Sequence, residues 1–401
     1  MPRYQSLDLT KGLTILGVIF FHAGMQFFDE FENLNFEKPN LLLIFLAILA
    51  MWGGIFIMVS GITHGVMSAI RQEKKQKIFY PLFSYSLILI IVHFFYNYVV
   101  APADSILVNS FDDKTLSFPS INRLFDNSSL LTIGLNLLII SFLIKLLLKL
   151  NFKKHLTIPL LIFITCCLTI GLNYARIKLE TIPTATDYRN EFSNLFQKIP
   201  FALIYERPYP LFPYFGFTLF GIIISLALAK KQYQRNKYLF LITGFLFSLI
   251  GLINLTTNHP SNILLINTFW FNKTLFEFGF FILSINLFLI FFDLLNKKNK
   301  PILSSIQNMG FLSLTIYILQ TPLAVLTYFL ISKYIKIATF NLNKAAVFAC
   351  FNMIVWYVIA QIWAHFHFKF SLEYFLDKLF ILIKRKSCKF ESYATNQKKK
   401  T

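Results

Sequence analysis

"SLDLTKGLTILGVIFFHAG", residues 6–24, sets a carboxylate and an ammonium before an apolar run and a histidine near its far end. The run is long enough to cross a bilayer, which needs about 20 mostly apolar residues. It has no small-residue cleavage site and continues into "MQFFDEF", so it reads as a retained helix and not as a cleaved leader. The same pattern recurs along the chain. Apolar runs at 10–28, 41–68, 79–100, 130–150, 156–174, 209–229, 238–256, 273–293, 303–332 and 344–368 predict about ten spanning helices, with no soluble domain between them. The expected fold is all-α, a polytopic integral membrane protein. Residues 1–386 form the membrane domain and 387–401 a basic cytoplasmic tail.

Composition agrees. Of 401 residues, 56% are hydrophobic and 14% charged, a balance foreign to a water-soluble core with a polar shell. The formal charge of +19 does not point to nucleic acid, because the basic residues stand in short clusters between apolar runs. Four cysteines show neither a disulfide framework nor metal spacing. No HExxH or Cys/His cluster, GxSxG, Walker loop or GxGxxG is present, so no metal site is expected.

Charge also orients the chain. Basic clusters at Arg71–Lys77, Lys145–Lys154, Lys230–Lys237, Lys297–Lys300 and in the tail alternate with acidic or mixed connections at 29–38, 104–126 and 175–208. The positive-inside rule makes the first set cytoplasmic and places both termini inside. The loop at 175–208 exceeds the usual connection length and carries Arg189, Glu206 and Arg207. It reads either as a substrate-binding loop or as a solvated connector.

Ionisable groups at membrane depth are costly and by default mark function. At 1.5 Å per residue, His22 lies about 20 Å across a core of about 30 Å, and His93 about 21 Å. Glu277, counted from the opposite side, reaches about the same level. The three are candidate catalytic groups; the structural alternative for each histidine is a hydrogen bond to a neighbouring helix. Lys11, Ile15, Val18 and His22 follow one helical stripe. One face of the first helix thus carries a cation at its mouth and a base near its other end. Asp8 and Lys11 can instead simply pair, with Ser6 as the helix cap.

Five segments carry a resemblance. "RYQSLDLTKGLTILGVIFFH" (3–22), "WGGIFIMVSGITHG" (52–65), "YPLFPYFGFTLFGIIIS" (209–225), "FNKTLFEFGFF" (271–281) and "MGFLSLTIYILQTPL" (309–323) occur in the order of motifs in the transmembrane acyltransferase superfamily. They are most similar to its bacterial and lysosomal heparan-α-glucosaminide N-acetyltransferase-like branch. Lys11 stands where that superfamily usually has Arg, Gln320 where many members have His, and Phe276 where Trp is common.

The resemblance implies transfer of an acyl group, typically acetyl from cytoplasmic acetyl-CoA, to a sugar amine or hydroxyl across the membrane. It implies a glycan acceptor, the lipid bilayer as environment and a bacterial inner-membrane location; a homodimer is admitted but not required. Lys11, Arg71 and Lys74 then suit the CoA phosphates, His22 suits a general base whose tautomer or basicity Glu277 supports, with His93 the next candidate for that base, and Gln320 joins the substrate contacts. A transporter or flippase for an acidic or lipid-linked solute is the competing function, although no inverted repeat or paired broken helices are visible.

Overall fold

A computed structural model describes residues 4–26, 49, 52–100, 128–150, 156–180, 209–257, 266–294, 301–335, 341–376 and 378–379. These residues are helical with no strand among them, and ten of the helices are long and apolar enough to cross a membrane. The helices are α1 (Gln5–Gln26), α2 (Gly53–Glu73), α3 (Phe79–Phe95), α4 (Ser129–Lys149), α5 (Thr157–Glu180) and α6 (Leu211–Ala229). They continue with α7 (Tyr233–Thr257), α8 (Ile266–Phe288), α9 (Pro301–Phe311), α10 (Ser313–Ile335) and α11 (Leu342–His365). Helices α3 and α8 each run on into a π-helical turn, at Tyr96–Val100 and Leu289–Leu294.

The chain groups into two compact units, one of Met1–Thr10 with Glu32–Lys298 and one of Lys11–Phe31 with Asn299–Thr401. The boundary runs through α1. In the first unit α6 is central and meets α2, α4, α5 and α7. Small residues let it in: a Cβ at Gly61 of α2 would strike the Thr218 backbone, and one at Gly221 of α6 would strike that of Met58. Hydrocarbon offers helices no hydrophobic drive to associate, so such close backbone contact supplies the attraction instead. Helix α7, paired mainly with α8, turns Ile242, Phe245, Leu246, Leu249 and Ile250 outward, the all-round apolar character of a lipid-facing helix.

In the second unit α11 packs on α9 and α10, and the later part of α1 joins them. Gly12 abuts the Ile306 backbone of α9, and Gly24 faces Ala345 and Ala349 of α11.

Three expectations are corrected. The run at 303–332 is two helices, α9 and α10, parted at Leu312. The Glu373 carboxylate accepts from the Leu314 and Thr315 N–H groups at 2.7 and 3.1 Å and so starts a new helix there. Arg71 lies in the last turn of α2 and not in a connection, where its charge complements the helix C-terminus. Ser6 does not cap α1. The helix begins at Gln5, and the Asp293 carboxylate accepts from the Gln5 and Ser6 N–H groups at 2.9 and 3.2 Å. The expected tail, 387–401, lies outside the described residues.

Candidate functional site

Helix α1 starts at Gln5, so His22 stands about 26 Å along it. Its side chain is exposed, and among the described residues nothing hydrogen-bonds the ring. Its described aromatic contact is the edge of Phe21, with centroids 5.8 Å apart. Lys11, eleven residues back on the same helix, is partly exposed.

His93 is placed differently. It is fully buried in the last turn of α3. Its Nδ1 is 2.8 Å from Ser128 Oγ, and its Nε2 is 3.4 Å from the Asn97 amide nitrogen. Ser128 is also the N-cap of α4, accepting from Leu131 N–H. The imidazole thus ties α3 to the start of α4, consistent with the interhelical hydrogen bond weighed above.

Glu277 sits on α8 at 1% exposure. The Tyr214 hydroxyl of α6 donates to its Oε2 at 2.6 Å, and Lys273 Nζ, one turn earlier on α8, is 3.1 Å from Oε1. Lys273 also stands 4.0 Å from the centroid of the Trp270 ring, and the buried Arg176 guanidinium of α5 lies 5.8 Å from the same ring. Trp270, Lys273 and Glu277 follow i, i+3, i+7 and share a face. Hydrogen bonds surround this group. Asn136 of α4 donates to the Tyr214 carbonyl and to Thr218 Oγ1, Asn173 of α5 donates to the Phe271 carbonyl, and Thr132 Oγ1 donates to the Tyr209 carbonyl. Four helices are locked together there by polar contacts. Each contact offsets the cost of holding a polar group at membrane depth.

Arg176 was expected in the loop beginning at 175, but α5 runs on to Glu180 and buries it. Tyr214, Lys273 and Trp270 were not singled out from sequence. The Lys273–Glu277 spacing was a usable signal; Tyr214 carried none, because its role depends on which helix α6 meets. Arg71 is partly exposed and Lys74, just past the end of α2, is exposed. The helix closes with Gln76 N–H on the Arg71 carbonyl at 2.8 Å and Lys75 at φ 53°, a left-handed turn that ends the α2 ladder. Arg189, Glu206 and Arg207 lie outside the described residues. Gln320 is on α10, 3% exposed. Among the described residues no three His, Cys, Asp or Glu side chains gather as metal ligands would.

Residues 4–364 match the acyltransferase domain family, a span that runs from the start of α1 to the last turn of α11. The chain belongs to the acyltransferase domain family. None of the curated proteins matches it. This acyltransferase is a membrane protein by its ten candidate spans. Family membership favours group transfer over the transporter reading, and it takes in every described helix from α1 to α11.

Proposed function

We propose that this membrane acyltransferase moves an acetyl group from cytoplasmic acetyl-CoA to an amine or hydroxyl of a sugar-containing acceptor on the outer side of a bacterial inner membrane. In this reading both termini are cytoplasmic, and Lys11, Arg71 and Lys74 hold the CoA phosphates by charge-assisted hydrogen bonds. His22 is the general base. It takes the proton of the acceptor N–H or O–H as that atom attacks the thioester carbonyl; the C–S bond then breaks and the CoA sulfur leaves with the electron pair and is protonated. Arg189, Glu206 and Arg207 contact the acceptor. Glu277 and His93 are positioning residues, acting through Tyr214 and Ser128 to hold their helices in place.

The observation that carries this proposal is the condition of His22. A base must be reachable and must not already be spent on a structural hydrogen bond, and His22 is exposed with no such bond among the described residues. The resemblance of residues 3–22 to the superfamily's opening motif supports the same role. The test is transfer of labelled acetyl from acetyl-CoA to a glucosamine-containing acceptor by the detergent-purified protein. Transfer with release of one CoA per acetyl is expected; protein that binds acetyl-CoA but neither releases CoA nor labels any sugar acceptor defeats the proposal.

A further inference from the structure

Helices α10 and α11 meet along a face marked by one complete polar contact. Thr327 Oγ1 is 3.0 Å from Asn352 Oδ1, and Asn352 Nδ2 donates to its own helix at the Phe348 carbonyl. Gln320 lies seven residues before Thr327, and Trp356 four residues after Asn352. At 100° per residue both stay within about 40° of that contact, on the two faces that meet. The helices run antiparallel there, so Gln320 and Trp356 come within about 5 Å of the same axial level. Both are deeply buried, at 3% and 2% exposure. Yet Gln320 Oε1, Gln320 Nε2 and Trp356 Nε1 have no hydrogen-bond partner among the described residues. Other buried side-chain atoms also lack partners among the described residues, but Gln320 is the one amide there with neither its oxygen nor its nitrogen paired, and an unpaired polar atom costs most in a low-dielectric interior.

We infer that Gln320 and Trp356 form a binding site for an uncharged secondary amide. The chemistry of the orphans selects that class. The indole N–H and the Gln320 NH₂ are donors for one carbonyl oxygen, and Gln320 Oε1 is an acceptor for one N–H. An anion would leave Oε1 facing a negative charge, and a cation would leave the donors unused. The inference rests on the acyltransferase reading for its two sources of such a group, the pantetheine arm of CoA and the acetamido group of an acetylated sugar.

Position favours the first source. Gly24 of α1 fixes the level of α1 against Ala345 and Ala349 of α11, which puts Trp356 about 10 Å along the bundle from His22. The pantetheine arm carries two amides, both within roughly 10 Å of its sulfur by the reach of an extended chain. A thioester held near His22 therefore lays an amide at the level of Trp356.

The experiment measures binding of CoA, of its head group 3′-phosphoadenosine 5′-diphosphate, and of N-acetylglucosamine to the full chain in detergent, for wild type, Gln320→Met and Trp356→Phe. An orphaned buried hydrogen-bonding group is worth about a fivefold to hundredfold change in affinity. The expected result is that loss for CoA in both variants with head-group binding unchanged. If N-acetylglucosamine binding falls instead and CoA binding does not, the amide site stands and its source is the sugar. Ligand-free Gln320→Met should unfold no lower than wild type, since it removes an unsatisfied buried amide; a clear drop assigns Gln320 a structural role and overturns the site. So does unchanged affinity for both amide ligands. A wild type that binds neither CoA nor its head group overturns the donor reading, an outcome distinct from loss of the amide site alone.

Discussion

His93 and His22 each stand near the far end of an apolar helix, but their surroundings are opposite. His93 is sealed among α3 and α4 side chains and held on both ring nitrogens. His22 is exposed with its ring contacting Phe21. The contrast extends to their neighbours. Around Glu277 side chains of α4, α5, α6 and α8 bond across the helices, although Asn136 Oδ1 and Asn173 Oδ1 accept no hydrogen bond among the described residues, whereas along α10 and α11 the Gln320 amide makes no hydrogen bond at all and Trp356 Nε1 has no acceptor among the described residues. A polar group inside a membrane protein must be paired by protein or by something the protein binds. The first region is tied together by its own side chains. For the second we infer a ligand.

Loss of His22 is the strongest test of that division. General-base catalysis contributes about 10²–10⁴-fold, so His22→Asn should lose at least about a hundredfold in acetyl transfer while its melting temperature stays close to wild type. An amide keeps hydrogen bonding but takes up no proton at neutral pH, and turnover within about tenfold of wild type would put His22 in the same class as His93. Next in size, Lys11→Ala, Arg71→Ala or Lys74→Ala should weaken acetyl-CoA binding by roughly 10- to 100-fold each, read by isothermal titration; three unchanged affinities would detach the basic residues from the donor.

Around Glu277 the effect should appear as stability. Glu277→Ala leaves Lys273 without its counter-charge and Tyr214 without its acceptor, and breaking a buried pair costs about 3 kcal/mol or more. Thermal unfolding in detergent should show that loss, with transfer per folded molecule within about tenfold. A much larger rate defect with an intact melting curve would move Glu277 into the chemistry. His93→Asn should cost less, since an interhelical hydrogen bond in a membrane protein averages about 0.6 kcal/mol.

The smallest effect concerns pH. Partial burial raises the Glu373 carboxyl above the ordinary range, against the Thr315 and Leu314 hydrogen bonds that pull it down. The folded protein therefore holds this proton more tightly than the unfolded chain does. The resulting stabilisation is complete below the unfolded pKa and disappears as pH rises through the folded one. Melting curves across that window should slope downward with pH in wild type and flatten in Glu373→Gln.

The spans, and the cation-to-histidine stripe of α1, are properties of sequence alone. Twenty apolar residues have no stable place but a bilayer or a core, and helical periodicity puts Lys11 and His22 on one face whatever they pack against. What tertiary structure decided was which polar groups found partners. Glu277 looked like a lone carboxylate until α6 brought Tyr214 to it. The run at 303–332 looked continuous until Glu373, from beyond α11, capped a second helix inside it. Arg176 looked like a loop residue until α5 continued past it. Gln320 and Trp356 are 36 positions apart and come to about one axial level because the α10 and α11 faces meet in the register set by Thr327 and Asn352. Depth and periodicity are one-dimensional and can be counted along the chain. Partnership depends on which helix faces touch, and that is settled only when the helices pack.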